Sequence, residues 1–185
     1  VDYASLENKA AQVPPGAEGL YALPHLLGER TPSPDPLARG TLFGLTTAHG
    51  LGHIYRAFLE GVAYALRDSY AHNPLPLVRL VIGGGGSGCT LWRQIIADVL
   101  GRPLISVPNG DNALGTAYLA AMGLGMFDSF RTVRDKWLSG GTEILPDASR
   151  AAAYDRYFPF YQQLNALVRP AYKGLAALES GGSKG

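Results

Sequence analysis

Gly83, Gly84, Gly85 and Gly86 stand in an unbroken run, with Ser87, Gly88 and Cys89 directly behind them. Glycines bring no side chain to pack, and they lose more conformational entropy on ordering than any other residue. The use of such a run lies in its backbone. It offers N–H groups that a ligand can approach closely, and φ values of either sign. Followed by a helix, these amides and the positive helix end face whatever sits above the turn, most often a phosphate. Cys89, near that helix start, could be a nucleophile if its thiol were acidified, but no histidine follows nearby to serve it. The chemistry in view is nucleotide binding.

Flanking elements position this turn. Val78–Ile82 is a short apolar run that suits a strand buried on both faces. Thr90 is placed to cap a helix whose apolar stripe is Leu91, Trp92, Ile95, Ile96, Val99 and Leu100, with Gly101 to end it. Pro103–Val107 reads as a second buried strand. Strand, glycine turn, helix and strand make a βαβ unit.

Three readings of the turn stay open on these residues. Gly83, Gly85 and Gly88 fit the dinucleotide pattern G-x-G-x-x-G, with Asp111 as a ribose partner beyond the second strand. A Gly-Gly turn of the actin and sugar-kinase kind also fits. So does a tight turn with no ligand. A Walker-type P-loop is excluded, because no Gly-Lys-Ser/Thr follows.

Other chemistry is sparse. His49 and His53 have the i,i+4 spacing of a helical metal pair, but no third ligand follows and glycines lie between them. Ser87 lacks a nucleophile elbow. No pair of carboxylates stands out as acid and base. Glu29, Arg30 and Asp35 sit in a proline-rich loop over His25–Gly40, long enough to be functional; mutual ion pairs at the surface are the equal alternative.

The rest of the chain reads as alternating helices and short strands. Val1–Gln12 forms a helix stopped by Pro14-Pro15-Gly16, and Gly19–Leu23 a strand. Gly50–His72 is the longest helix. Its face at Ile54, Ala57, Phe58, Gly61, Val62, Ala65 and Leu66 is apolar, and Gly61 calls for close backbone approach. Arg56 and Glu60 are an i,i+4 pair in the less favourable order. Asn73-Pro74 ends that helix. Pro108–Asn112 is a turn, and Ala113–Met122 is a helix whose small residues suit close packing. Phe127–Gly141 gives a short amphipathic helix and a turn. Ser149–Leu178 is helical, with a core-facing stripe from Tyr154 to Val168 and kinks or a break expected at Pro159 and Pro170.

The 185 residues, 46% apolar and 17% charged, suffice for one domain with a core. A net charge of +1 gives no bulk reason to expect nucleic acid or membrane as a partner. The single Cys89 suits a reducing compartment and a cytoplasmic location. No apolar run is long enough to span a bilayer, and no signal-peptide pattern is present. The chain opens on Val1 inside a helix-like stretch, as a piece of a longer protein would.

Taken together, the motifs resemble the C-terminal lobe of the FGGY carbohydrate kinases, most closely the xylulose kinases among them. Gly40-Thr-Leu-Phe-Gly44-Leu45, then seven intervening residues and His53-Ile54-Tyr-Arg-Ala57-Phe58-Leu59-Glu60, is similar to the family's second signature, with Phe58 bulkier than usual. Gly28-Glu29-Arg30-Thr31-Pro32 is similar to a loop of the xylulose kinases. Gly83–Ser87 with Leu91-Trp92-Arg93-Gln94 resembles the adenosine turn, and Ala113-Leu114-Gly115-Thr116-Ala117 its following helix.

The resemblance implies an α/β, actin-like (ribonuclease H-like) ATPase lobe, a mixed sheet flanked by helices. It would fill residues 1–178, lack its first elements, and end in a disordered tail over 179–185. It implies ATP with Mg2+ as donor and a ketose such as D-xylulose as acceptor. Gly83, Gly84, Gly85, Gly86, Ser87 and Cys89 would lie against the nucleotide, and Glu29 and Arg30 in an interdomain loop. It places no catalytic residue in this chain, since the general base belongs to an N-terminal lobe. That lobe is then the expected partner, with room for a homodimer, and the chain alone is expected to be inactive. A non-catalytic actin-like regulatory module and a dinucleotide oxidoreductase are the alternative readings.

Overall fold

The computed structural model describes residues 2–72, 79–107, 112–132 and 141–181. The order is α1 (Tyr3–Ala11), a 3-10 turn at Ala17–Gly19, β1 (Tyr21–Leu23), β2 (Thr41–Phe43), α2 (Leu51–Ala71), β3 (Leu80–Ile82), a 3-10 turn at Gly85–Gly88, α3 (Thr90–Leu100), β4 (Leu104–Ser106), α4 (Asn112–Gly123), β5 (Thr142–Ile144) and α5 (Ala148–Gly181). β1 and β2 pair antiparallel. The second sheet has the order β3-β4-β5, with β3 parallel and β5 antiparallel to β4.

The βαβ unit forms as its sequence predicts. β3 and β4 lie in register with Leu80 opposite Leu104 and Ile82 opposite Ser106, and α3 is the crossover between them. Gly101 ends α3 in the left-handed conformation at φ 60°. One expectation fails. β3 is not buried on both faces: Val81 is 52% exposed, because no described layer covers that side.

α2 is the hub, touching α1, α3, α5 and β1. Gly61 lets it lie directly on β1, since a Cβ there would strike the carbonyl oxygen of Ala22. The face it buries differs from the apolar stripe in the sequence. Arg56 and Glu60 are only 3% and 2% exposed, whereas Leu66 is 44% exposed. The charged pair is therefore an interior network. Arg56 Nε donates to Glu60 Oε1 at 2.7 Å, Nη2 donates to the Tyr154 hydroxyl at 2.9 Å, and Nη1 donates to the Ala10 carbonyl at 3.2 Å. Tyr154 Oη and Gly16 N also donate to Glu60 Oε1. Burial pushes the Glu60 carboxyl up, against the pull of Arg56 and the other donors. The network ties α1, α2, the first 3-10 turn and α5 together.

α5 is continuous through Pro159 and Pro170. Both prolines occupy exposed positions, so the missing N–H and the ring fall on the solvent side. The opposite side, with Tyr154, Phe158, Tyr161 and Leu164, joins Tyr64, Ile95, Ile96 and Val99 in the main core, as its aromatic stripe predicts. The helix runs past Glu179 to Gly181.

α4 departs from the close packing read from its small residues. Nothing lies within 4 Å of a Cβ at Gly115, Ala117 and Ala120 are exposed, and Ala121 alone among those four is buried. β5 has no counterpart among the expected elements. Asn73-Pro74, most of the 108–112 turn with Asp111, and most of Phe127–Gly141 lie outside the described residues.

Candidate functional site

The glycine turn sits where β3 and β4 end, at the carboxyl edge of the parallel pair, the position at which α/β sheets bind ligands. Gly84 has φ 85° and ψ −176°, a conformation open in practice only to glycine. Ser87 N donates to Gly84 O at 3.0 Å, and the Ser87 hydroxyl donates to the same oxygen at 2.6 Å. Cys89 N donates to Gly86 O at 3.1 Å. The amides of Gly85 and Gly86 precede these bonds and have no acceptor within the turn. Gly83, Gly85 and Gly86 are exposed, and Gly84, Ser87 and Cys89 half-buried.

The adjacent glycines have different duties. A Cβ on Gly85 would enter open space, whereas a Cβ on Gly86 would strike the six-membered ring of Trp92. Trp92 is the floor of the turn, and Gly86 rests on it.

The start of α3 corrects two expectations. Its cap is Cys89, not Thr90: Trp92 N donates to the Cys89 sulfur at 3.4 Å. Burial pushes the Cys89 thiol up, so the residue is a neutral cap and not an acidified nucleophile. Second, the helix end is already occupied. Glu7, reaching across from α1, accepts the Leu91 N–H at 2.9 Å. A ligand anion would therefore meet the turn amides of Gly85 and Gly86, not the first amides of α3. Arg93, on the first turn of α3, donates to Ser106 Oγ at 3.1 Å and Thr90 Oγ1 at 3.0 Å. Glu7 gave no local signal in the sequence; only the fold brings it to Leu91.

Glu29 and Arg30 belong to a different cluster. Glu29 is 6% exposed and pairs with Arg169 of α5, not with Arg30. Its backbone exchanges two hydrogen bonds of 2.9 Å with Asp35. Asn165 joins the cluster, with Nδ2 donating to Glu29 Oε1 and Oδ1 lying 3.2 Å from His25 Nε2. Glu29 thus fastens the loop to α5. Arg30 is exposed on the wall of a cavity of about 470 Å³ between that loop and α2. Among the described residues, no group of three or more His, Cys, Asp and Glu is placed to hold a metal ion, and no helix is long and apolar enough to cross a membrane.

The chain belongs to the FGGY family of carbohydrate kinases: residues 2–124 match the family's C-terminal domain. Xylulose kinase of Escherichia coli (strain K12) is 40% identical over 169 residues, covering 86% of this chain and 34% of that protein. Gluconokinase of Bacillus subtilis (strain 168) is 33% identical over 186 residues, covering 97% and 36%. The crystal structure of xylulose kinase from Rhodospirillum rubrum superposes with a TM-score of 0.76 at 37% identity, covering 92% of this chain and 35% of that one. The mixed sheet with flanking helices is thus that of an actin-like C-terminal lobe of these kinases. The chain spans about a third of the length of the curated relatives it matches.

Proposed function

We propose that this chain is the nucleotide-holding lobe of a sugar kinase that transfers the γ-phosphate of ATP to a ketose such as D-xylulose. The observation that carries the reading is the turn Gly84–Gly86. Its backbone is shaped by a glycine-only conformation at Gly84, open above Gly85, and presents amides at Gly85 and Gly86 that have no acceptor within the turn. Adenosine and phosphate fit such a surface, because phosphoryl transfer needs positioning and electrostatic stabilisation more than covalent help. Gly83, Gly84, Gly85 and Gly86 would hold the nucleotide, with Ser87 and Cys89 keeping the turn in shape. No carboxylate cage for Mg2+ occurs among the described residues, so the ion would arrive on the nucleotide phosphates and neutralise their charge.

The general base and the other half of the cleft would come from an N-terminal lobe, and the 185-residue chain alone would be inactive. The cytoplasm, where ATP and free sugars meet, suits this activity. The acceptor is drawn from relatives named as xylulose kinases, and a gluconokinase among them makes gluconate the competing sugar. The absence of a general base among the turn residues supports one rival: an actin-like module that holds nucleotide and acts on a partner.

Two measurements test this. Titration of the chain with ADP and NAD by NMR should move the Gly84–Gly86 amides with ADP and no more strongly with NAD. A clear preference for NAD overturns the kinase reading. The longer protein, assayed with MgATP, should phosphorylate D-xylulose in preference to D-gluconate and glycerol. Nucleotide binding without turnover of any sugar would favour the module.

A further inference from the structure

His49 and His53 face each other with ring centroids 5.3 Å apart. In both rings Nδ1 accepts a backbone N–H: Thr46 donates to His49 at 2.9 Å, and Gly50 donates to His53 at 3.1 Å; the Thr46 hydroxyl also lies 3.2 Å from His49 Nδ1. A neutral ring whose Nδ1 accepts carries its proton on Nε2. Both Nε2 atoms then converge on one residue. His53 Nε2 lies 3.3 Å from the Glu18 carboxylate, and His49 Nε2 lies 3.4 Å from the Glu18 main-chain oxygen. The same tautomer leaves no lone pair on Nε2 for a metal, so the pair is not a half-built metal centre.

The other two histidines are bonded differently. His25 meets Asn165 Oδ1, and His72 meets the Asp68 carbonyl at 2.8 Å. A ring nitrogen facing an oxygen can carry a proton and keep its bond. A nitrogen that accepts from a backbone N–H cannot keep that bond, even where, as at His49, a hydroxyl oxygen is also at hand to accept the new proton. The position of these two rings makes the difference matter. Gly50 is the N-cap of α2 and has no side chain to offer, so His53 supplies the cap that reaches back to the Gly50 amide. His49 closes the preceding turn in the same way through Thr46.

We propose that His49 and His53 form an acid-sensitive latch over the 44–50 segment between β2 and α2. When a ring takes its second proton, Nδ1 changes from acceptor to donor and opposes the backbone N–H it had bound. Imidazole is the side chain that makes this change between about pH 5 and 8. The amides of Thr46 and Gly50 are released, and the first turn of α2 loosens. Two charged groups face the rings from neighbouring elements. Glu18, on the first 3-10 turn, attracts the imidazolium forms. Lys9, at the end of α1 and on the wall of the cavity shared by His53 and Glu18, opposes them. The rings also repel each other once both are charged. Glu18 keeps its hold on Nε2 throughout, so the latch pivots there and opens on the backbone side.

An NMR titration of the chain from pH 8 to pH 5 tests this. At pH 8 the ring nitrogen shifts should report Nε2–H tautomers for His49 and His53. As the rings protonate, the Thr46 and Gly50 amide protons should move upfield with the same midpoints and lose about fivefold in exchange protection, the scale of one helix cap. In His53→Gln, which keeps an acceptor but does not titrate, the Gly50 response should vanish while that of Thr46 remains. Glu18→Gln, which leaves both Nδ1 acceptors in place, should keep the Thr46 and Gly50 amides protected at pH 8 and exposed once the rings protonate. Nδ1–H tautomers at pH 8, or amides that stay fixed while the rings titrate, overturn the proposal.

Discussion

The carboxylate of Glu7 accepts the backbone N–H of Leu91 at 2.9 Å across 84 residues of sequence. A side chain of α1 thus caps α3, the helix that follows the glycine turn. The contact satisfies a donor that α3 cannot satisfy itself, and it places negative charge at the positive helix end. In the proposed nucleotide site it would also keep phosphate off that end and leave the turn amides to meet the ligand.

Glu7→Ala should therefore destabilise the chain by about 1 kcal/mol, the usual cost of a lost cap. Urea melts measure the loss, and the Leu91 amide should lose protection in hydrogen exchange. An unchanged midpoint would mean that water replaces Glu7 without cost.

Gly85→Ala and Gly86→Ala should separate binding from folding. Space above Gly85 is open, so its variant should fold like the parent and bind ADP less tightly. Gly86 rests on Trp92, and its variant should lose about 1–3 kcal/mol of stability through overpacking. Equal stability of the two variants would contradict the assignment of Trp92 as the floor.

Glu60→Ala should be the most damaging single change. It removes the acceptor of Arg56, Tyr154 and Gly16 and strands the buried guanidinium, at a cost of about 3–5 kcal/mol. Tyr154→Phe, which leaves the ion pair intact, should cost about 1 kcal/mol. Circular-dichroism melts would rank them, and the reverse order would sink the network as described.

Cys89 should alkylate slowly at pH 7. Burial pushes its thiol up, so the reactive thiolate forms only as the pH rises above the ordinary cysteine value of about 8.5. Iodoacetamide rates from pH 7 to 10 should climb without a plateau below that value. A plateau near pH 7 would show an acidified thiol.

The sequence was most readable where causes are local. The glycine run, the stripe of α3 and Gly101 announced the βαβ unit, because each acts on its immediate neighbours. Gly61 signalled close approach correctly but could not name Ala22. Cys89 displaced Thr90 as cap by one position, a margin that hydrogen-bonding rank alone does not resolve. Arg56 and Glu60 read as an ordinary helix pair, because their burial depends on Gly16 and Tyr154 far along the chain. Glu7 and Arg169 are in the same position: each is an unremarkable surface charge until the fold supplies a partner. For the site, the turn was legible as backbone, whereas its floor at Trp92 and its guard at Glu7 were not.

The clasp between Glu29 and Arg169 joins residues 140 positions apart. Its two halves leave the ribosome at different times. At ordinary synthesis rates of about 5–20 residues per second, the proline-rich loop waits roughly 7 to 28 seconds for its partner to be made. Until then the Glu29 carboxylate lacks Arg169, its native partner, and the loop should be open to a protease or a chaperone. Closing so large a loop is also slow compared with forming α2 or the βαβ unit. The clasp should thus be among the last native contacts to form, and a nascent chain ending before Arg169 should be cut within 25–40 while the finished chain resists.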